Sequence, residues 1–146
     1  MPKTEEPIVV EQTFNTSVEN VWSAITTLHE MKQWFFENIP SFNPVVGFET
    51  RFVVKVGDRI FPHIWKLTEV EPYRRITYDW RYEGYTGRAY VTFELFPQGE
   101  QSRLRLTFKA VEPFPEYIPE FKRESGVEGW KYFINKRLKN YLEASQ

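Results

Sequence analysis

The chain contains no cysteine, which excludes disulfides, thiolate nucleophiles and cysteine-ligated zinc, and which fits a reducing compartment. Histidine is nearly as scarce: His29 and His63 stand too far apart for a metal-ligand spacing, so no metal or other cofactor is expected. Charge excess of either sign is missing as well. Lys plus Arg number 19 against 20 Asp plus Glu, a net charge of −1, and nothing in that balance attracts a phosphate backbone; nucleic acid is not an expected partner. No apolar run approaches the roughly 20 residues of a membrane span. The start, Met1-Pro-Lys-Thr-Glu-Glu-Pro7, is charged and proline-bounded, so the expectation is a protein without membrane insertion and of cytoplasmic location. No serine sits in a Gly-x-Ser-x-Gly elbow and no glycine-rich phosphate loop follows a strand; Gly84-x-x-Gly87 reads as a turn.

What the chain has in quantity is aromatic side chains. They make up 18% of it, as 13 Phe, 8 Tyr and 5 Trp, within a hydrophobic total of only 41%, so its apolar bulk is concentrated in rings. Rings bury large areas through few rotatable bonds and suit either a small dense core or the walls of an apolar pocket. Length bounds the organisation: 146 residues are expected to make one domain, 1–146, around one core.

The first strand candidate is Ile8–Phe14, rich in β-branched residues. Ser17 then stands at an N-cap position with Glu19 in the first turn, and Val18, Val21, Trp22 and Ile25 recur at helical spacing. A break near Thr27–His29 separates this helix from a second one carrying Leu28, Met31, Trp34 and Phe35. Pro40 and Pro44 mark a connector. From Phe48 the period becomes two. Phe48, Thr50, Phe52, Val54 and Val56 share a face; Gly57-Asp58 turns the chain into Ile60–Val70, where Pro62 suggests an edge or strand-start position. Glu71-Pro72-Tyr73 turns it again, and Arg75–Arg81 alternates with Ile76, Tyr78 and Trp80 inward. After Gly84–Gly87 come Ala89–Phe96, a hairpin at Pro97-Gln-Gly99, and Arg103–Val111. Five consecutive strands with tight turns form an antiparallel meander. Residues 112–124 hold three prolines yet are too apolar to be solvated throughout, and a last helix runs from about Val127 to Ala144, roughly 27 Å at ~1.5 Å per residue.

This order of elements resembles the helix-grip fold of the START/SRPBCC superfamily, and most closely its branch named for the heat-shock protein 90 ATPase activator. Four segments carry the resemblance: Ser17-Val-Glu-Asn-Val-Trp22 with Met31-Lys-Gln-Trp-Phe35; Leu67–Trp80 with its Glu-Val-Glu-Pro-x-Arg-Arg turn; Val91–Leu95 with Ser102–Thr107; and the Gly-Trp helix Gly129–Glu143. The resemblance implies an α+β fold in which a curved antiparallel sheet of about six to seven strands wraps a long carboxy-terminal helix, with two short helices after strand 1. The chain departs from the family pattern where Trp65 replaces a small residue and where residues 112–123 are rich in proline. The first departure shrinks any internal space.

A helix-grip fold leaves room between sheet and helix for an apolar molecule. The inward faces offer Trp34, Phe35, Phe52, Val54, Trp65, Tyr78, Trp80, Phe93, Phe108, Trp130 and Ile134 as cavity-lining candidates, and the same residues would serve equally as a filled core. Bulky Trp65 points to a small or narrow pocket. His63 and Glu69 share strand parity and would suit an acid/base pair, although a strand-edge histidine and a surface carboxylate explain them more simply. Tyr78, Tyr82, Tyr85 and Tyr90, with Arg81 and Arg88, offer polar handles for a ligand or ordinary strand and turn positions. Lys131, Lys136, Arg137 and Lys139 mark the solvated side of the last helix. No residue is expected to be catalytic.

Three functions remain open at this level. The first is a noncatalytic domain binding a small hydrophobic or aromatic ligand. The second, implied by the resemblance, is an interaction module acting on a heat-shock protein; the activator relatives carry a further amino-terminal domain for which 146 residues leave no room. The third is an enzyme of the polyketide cyclase/aromatase kind. A monomer or a homodimer fits each.

Overall fold

The computed structural model describes residues 6–144; the first five residues, and with them most of the charged start, lie outside that range. Strand β1 (Ile8–Phe14) leads to helix α1 (Val18–Thr26), which Ser17 caps by accepting the Asn20 N–H on its hydroxyl at 3.3 Å, while Glu19 lies in the positive first turn. Thr27 closes α1 and opens α2 (Leu28–Trp34), at the break the sequence predicts. The two helices are tied together by the Trp34 indole N–H, which donates to Ala24 O at 2.8 Å.

Five strands follow, β2 (Glu49–Val56), β3 (Arg59–Glu71), β4 (Arg75–Tyr82), β5 (Arg88–Gln98) and β6 (Gln101–Glu112). All pairings are antiparallel, and the order β1-β6-β5-β4-β3-β2 makes a meander whose far edge is completed by β1, with Ile8 opposite Phe108. Among the described residues the sheet therefore has six strands. Period-two alternation decides which face is buried. Ile76, Tyr78 and Trp80 of β4, Val91, Phe93 and Leu95 of β5, and Leu104 and Leu106 of β6 all point into the core, while an outer ladder of Glu11, Arg103, Arg105, Glu94 and Arg75 pairs charges across neighbouring strands.

The chain closes with a continuous helix in three stretches: α3 (Arg123–Lys131), a wider π-helical segment (Tyr132–Leu138), and α4 (Lys139–Ala144). Trp130 is 6% exposed and packs against Phe93 and Phe108, so the helix lies on the concave face of the sheet. This is the curved sheet and clasped helix of the helix-grip fold.

Three details differ from the sequence expectation. The last helix begins at Arg123, not after Gly126. Gly126 N–H donates to Lys122 O at 3.1 Å, so this glycine sits inside the first helical turn. The β5–β6 hairpin turns at Gly99-Glu100, because Pro97 and Gln98 still pair with Ser102 and Gln101. Pro62 lies in an interior strand. It is tolerated because the amide that proline lacks falls opposite Glu83, just past the end of β4, where Glu83 N–H still donates to Pro62 O at 2.9 Å, so only one bond is lost at the end of the ladder.

Candidate functional site

Between the open end of the sheet and the start of the last helix lies a cavity of about 140 Å³. Eight aromatic residues wall it: Phe36, Trp80, Tyr82, Phe108, Phe114, Phe121, Trp130 and Phe133. Glu120, Gly126 and Gly129 complete the lining. The sheet contributes its inward parity at Trp80, Tyr82 and Phe108. The helix contributes Trp130 and Phe133 together with Gly126 and Gly129. The third wall is the proline-rich segment after β6, in which Phe114, Ile118 and Phe121 are buried and a short 3-10 turn (Pro119–Phe121) brings Glu120 to the rim.

That segment is fastened at two points. Phe114 lies on Gly87, where a Cβ would come within 2.4 Å of the phenylalanine ring; only glycine allows the approach, and its φ of +112° also favours glycine. At the other end Arg59, at the start of β3, grips Glu120 in a two-pronged ion pair, Nε to Oε1 at 2.7 Å and Nη2 to Oε2 at 3.0 Å. The hydrogen bonds from Arg59 hold the Glu120 carboxyl below its usual range, so it is ionised at neutral pH.

The candidate residues named from sequence fall into three groups. Trp80, Phe108 and Trp130 line the cavity. Trp34, Phe35, Trp65, Tyr78, Phe93 and Ile134 lie deeper, in close-packed core: Phe35 is sandwiched between Trp34 and Trp65 with ring centroids 4.6 and 5.2 Å away. Trp65 thus occupies space that a smaller residue would leave. Phe52 meets the edge of Trp65 and stacks on His63 at 4.9 Å, while Val54, farther along β2, is half-buried. The lining residues that the sequence did not offer are Phe36, Phe114, Glu120, Phe121, Gly126, Gly129 and Phe133; Tyr82 was offered as a polar handle. Tyr82 continues the alternation of Ile76, Tyr78 and Trp80 and was within reach of that signal. The apolar content of residues 112–124 signals burial, but no periodicity says against what.

His63 and Glu69 do not come together. A register shift between Leu67 and Glu69 reverses the parity of β3, so Glu69 lies on the outer face, where it accepts from Arg75 at 3.3 Å and Thr77 at 3.2 Å. His63 is not at a strand edge but is 5% exposed beside Phe36, Phe52, Trp80 and Tyr82. Its Nδ1 lies 2.9 Å from Phe61 O, an acceptor, which assigns the ring proton to that nitrogen. Burial lowers its pKa to about 4, so the imidazole is neutral. Burial also pushes the Tyr82 hydroxyl up to about 12, leaving it protonated in the cavity wall. Tyr85 and Tyr90 are committed elsewhere, Tyr85 donating to Ile60 O and Tyr90 accepting from Arg88, both at 2.8 Å. Among the described residues no three His, Asp or Glu side chains gather as a metal ion would require, and no helix is long and apolar enough to cross a membrane.

A family model described as Activator of Hsp90 ATPase homolog 1-like protein matches residues 15–143. The chain belongs to this family. Comparison with curated proteins gives no match. Among solved structures this Hsp90-activator-like chain is similar to DynU16, a protein of the dynemicin biosynthetic locus, at 24% identity and a TM-score of 0.76 over 97% of this chain and 49% of that one. The chain therefore spans about half the length of DynU16. Protein MLL2253 from Mesorhizobium loti is 24% identical with a TM-score of 0.76, covering 97% of this chain and 99% of its own. The Aha1 dimer from Colwellia psychrerythraea is 20% identical with a TM-score of 0.74, again over 97% and 99%. At these identities the likenesses establish the fold.

Proposed function

We propose that this chain, residues 1–146, is a single noncatalytic SRPBCC domain of the cytoplasm that binds a small hydrophobic or aromatic molecule in the cavity between the sheet and the carboxy-terminal helix. The observation that carries the reading is Gly129. A glycine inside a helix costs about 1 kcal/mol relative to alanine, and nothing in the packing demands one here, because a Cβ built at Gly129 meets no atom within 4 Å. Gly129 borders the cavity, and no atom occupies the space its side chain would take. The walls point the same way: an apolar molecule entering this ring-lined, partly open space displaces water from the ring faces. The test is native mass spectrometry of the freshly purified protein together with thermal shift across a panel of small hydrophobic compounds. A bound molecule or a raised Tm is expected; no bound mass and no shift across the panel defeats the proposal.

Family membership favours a second reading, an interaction module acting on a heat-shock ATPase, in which the cavity is incidental. Addition of the chain to the host's own Hsp90 then raises its ATPase rate, and an unchanged rate removes this reading. The Colwellia protein was solved as a dimer, and a homodimer of this chain is a further proposal that light scattering decides.

A further inference from the structure

The wall of the cavity is not uniformly apolar, and its one charged residue limits what can enter. Glu120 is the only ionisable acid or base among the eleven lining residues apart from the Tyr82 phenol. A carboxylate only accepts hydrogen bonds, and it offers roughly four lone-pair sites. Arg59 occupies one on each oxygen and the Glu120 backbone amide also donates to the carboxylate, so only part of its accepting capacity remains at the rim. Arg59 itself is not among the lining residues, and its fork is committed to this carboxylate from the outside. An entering molecule therefore meets ring walls and, at one end, an acceptor that carries negative charge. Size sets the second limit. A cavity of about 150 Å³ lined by apolar side chains holds benzene, and this one, open at its rim, measures about 140 Å³, which buries one ring and not the bulk of a sterol, an acyl chain or a fused polycycle.

Resting on the reading of this cavity as a ligand site, we propose that it selects single-ring aromatic molecules bearing a hydrogen-bond donor, a phenol hydroxyl or an alkylammonium, and that Glu120 determines this specificity. The ring packs among Trp80, Phe108, Trp130 and Phe133, and the donor points at the free lone pairs of Glu120. An ammonium gains in addition from neighbouring ring faces. Acceptor-only molecules such as benzoate have no donor to offer Glu120, whose charge Arg59 already balances, and gain nothing from it.

Isothermal titration of the full chain with phenol, benzylamine, toluene, benzoate and palmitate tests this. Phenol or benzylamine is expected to bind about tenfold more tightly than toluene or benzoate, the ratio of one hydrogen bond to a charged acceptor; which of the two binds better tells a hydroxyl ligand from a cationic one. In the variant Glu120→Gln, whose folding is checked by its unchanged circular dichroism, benzylamine should lose its advantage and benzoate should gain. Equal affinity for toluene and phenol, or binding of benzoate by the unaltered protein as tight as that of phenol, overturns the donor selectivity while leaving the cavity a ligand site. Tight binding of palmitate with none of the single rings overturns the size limit. Absence of binding by all five overturns both this inference and the reading beneath it.

Discussion

His63 is held neutral inside a cluster of rings, and that fixes how the molecule responds to acid. Its pKa falls from 6.5 to about 4 because burial penalises the charged form. Below pH 6.5 the unfolded chain takes up a proton that the folded one refuses, so stability declines as pH falls from 6.5 towards 4, by on the order of 3 kcal/mol in all. Urea unfolding at a series of pH values should show this slope in the native protein and lose it in His63→Leu; a slope of the same size in the variant assigns it to other groups. Gly87 gives a second prediction at this scale. Replacement by alanine forces a Cβ into the Phe114 ring at a backbone conformation that alanine disfavours, and a loss of about 2 kcal/mol in unfolding free energy is expected. Single residues also explain where sequence reasoning stops. The parity of β3 is readable up to Leu67, but the irregularity beyond it reverses the face of Glu69, and no residue type in Leu67-Thr-Glu-Val announces it.

The closing helix has inward positions at Trp130, Ile134, Leu138 and Leu142, an unbroken step of four. A 3.6-residue turn drifts about 40° every four residues and would carry this stripe off the sheet. The wider turns of Tyr132–Leu138 counter the drift and keep the four side chains on one face. The step of four is therefore the trace of the π-helical segment in the sequence, and the ordinary mixture of threes and fours is what hides it. Alternation made the strands legible because each has one face on a packed core. The segment after β6 is legible only as buried, since its three prolines impose no period. Gly129 bears the prediction for the helix. Gly129→Ala should raise stability by about 1 kcal/mol through helix propensity, since its methyl group meets nothing. Gly129→Leu, with a side chain able to fill the cavity, should abolish the thermal shift produced by any ligand. If both variants bind as the native chain does, the ligand lies elsewhere.

At the scale of the molecule, the division between filled core and open cavity is set by the large rings in the middle of the sheet. Trp65 touches Phe35, Phe52, Tyr78 and Trp80, closing the deep part of the clasp and confining free space to the rim. Trp65→Ala is expected to cost about 3–5 kcal/mol and, in whatever fraction remains folded, to admit two-ring compounds such as naphthalene that the native protein excludes; calorimetry on the folded variant measures both. The fold class was legible from element order together with the family resemblance, while the start of the last helix and the β5–β6 turn were not. The cavity was legible in outline only, because alternation says which side chains point inward and not which of them touch one another.

The strand order has a consequence for how the chain is made. Ile8 must wait for Phe108 before it acquires a neighbour. During synthesis the meander can zip up hairpin by hairpin as it leaves the ribosome, whereas the opening segment stays unmated until β6 has emerged. Joining ends so distant is the slow, entropically costly event in assembling such a sheet, so the last backbone ladder to form is the one that begins at the first strand.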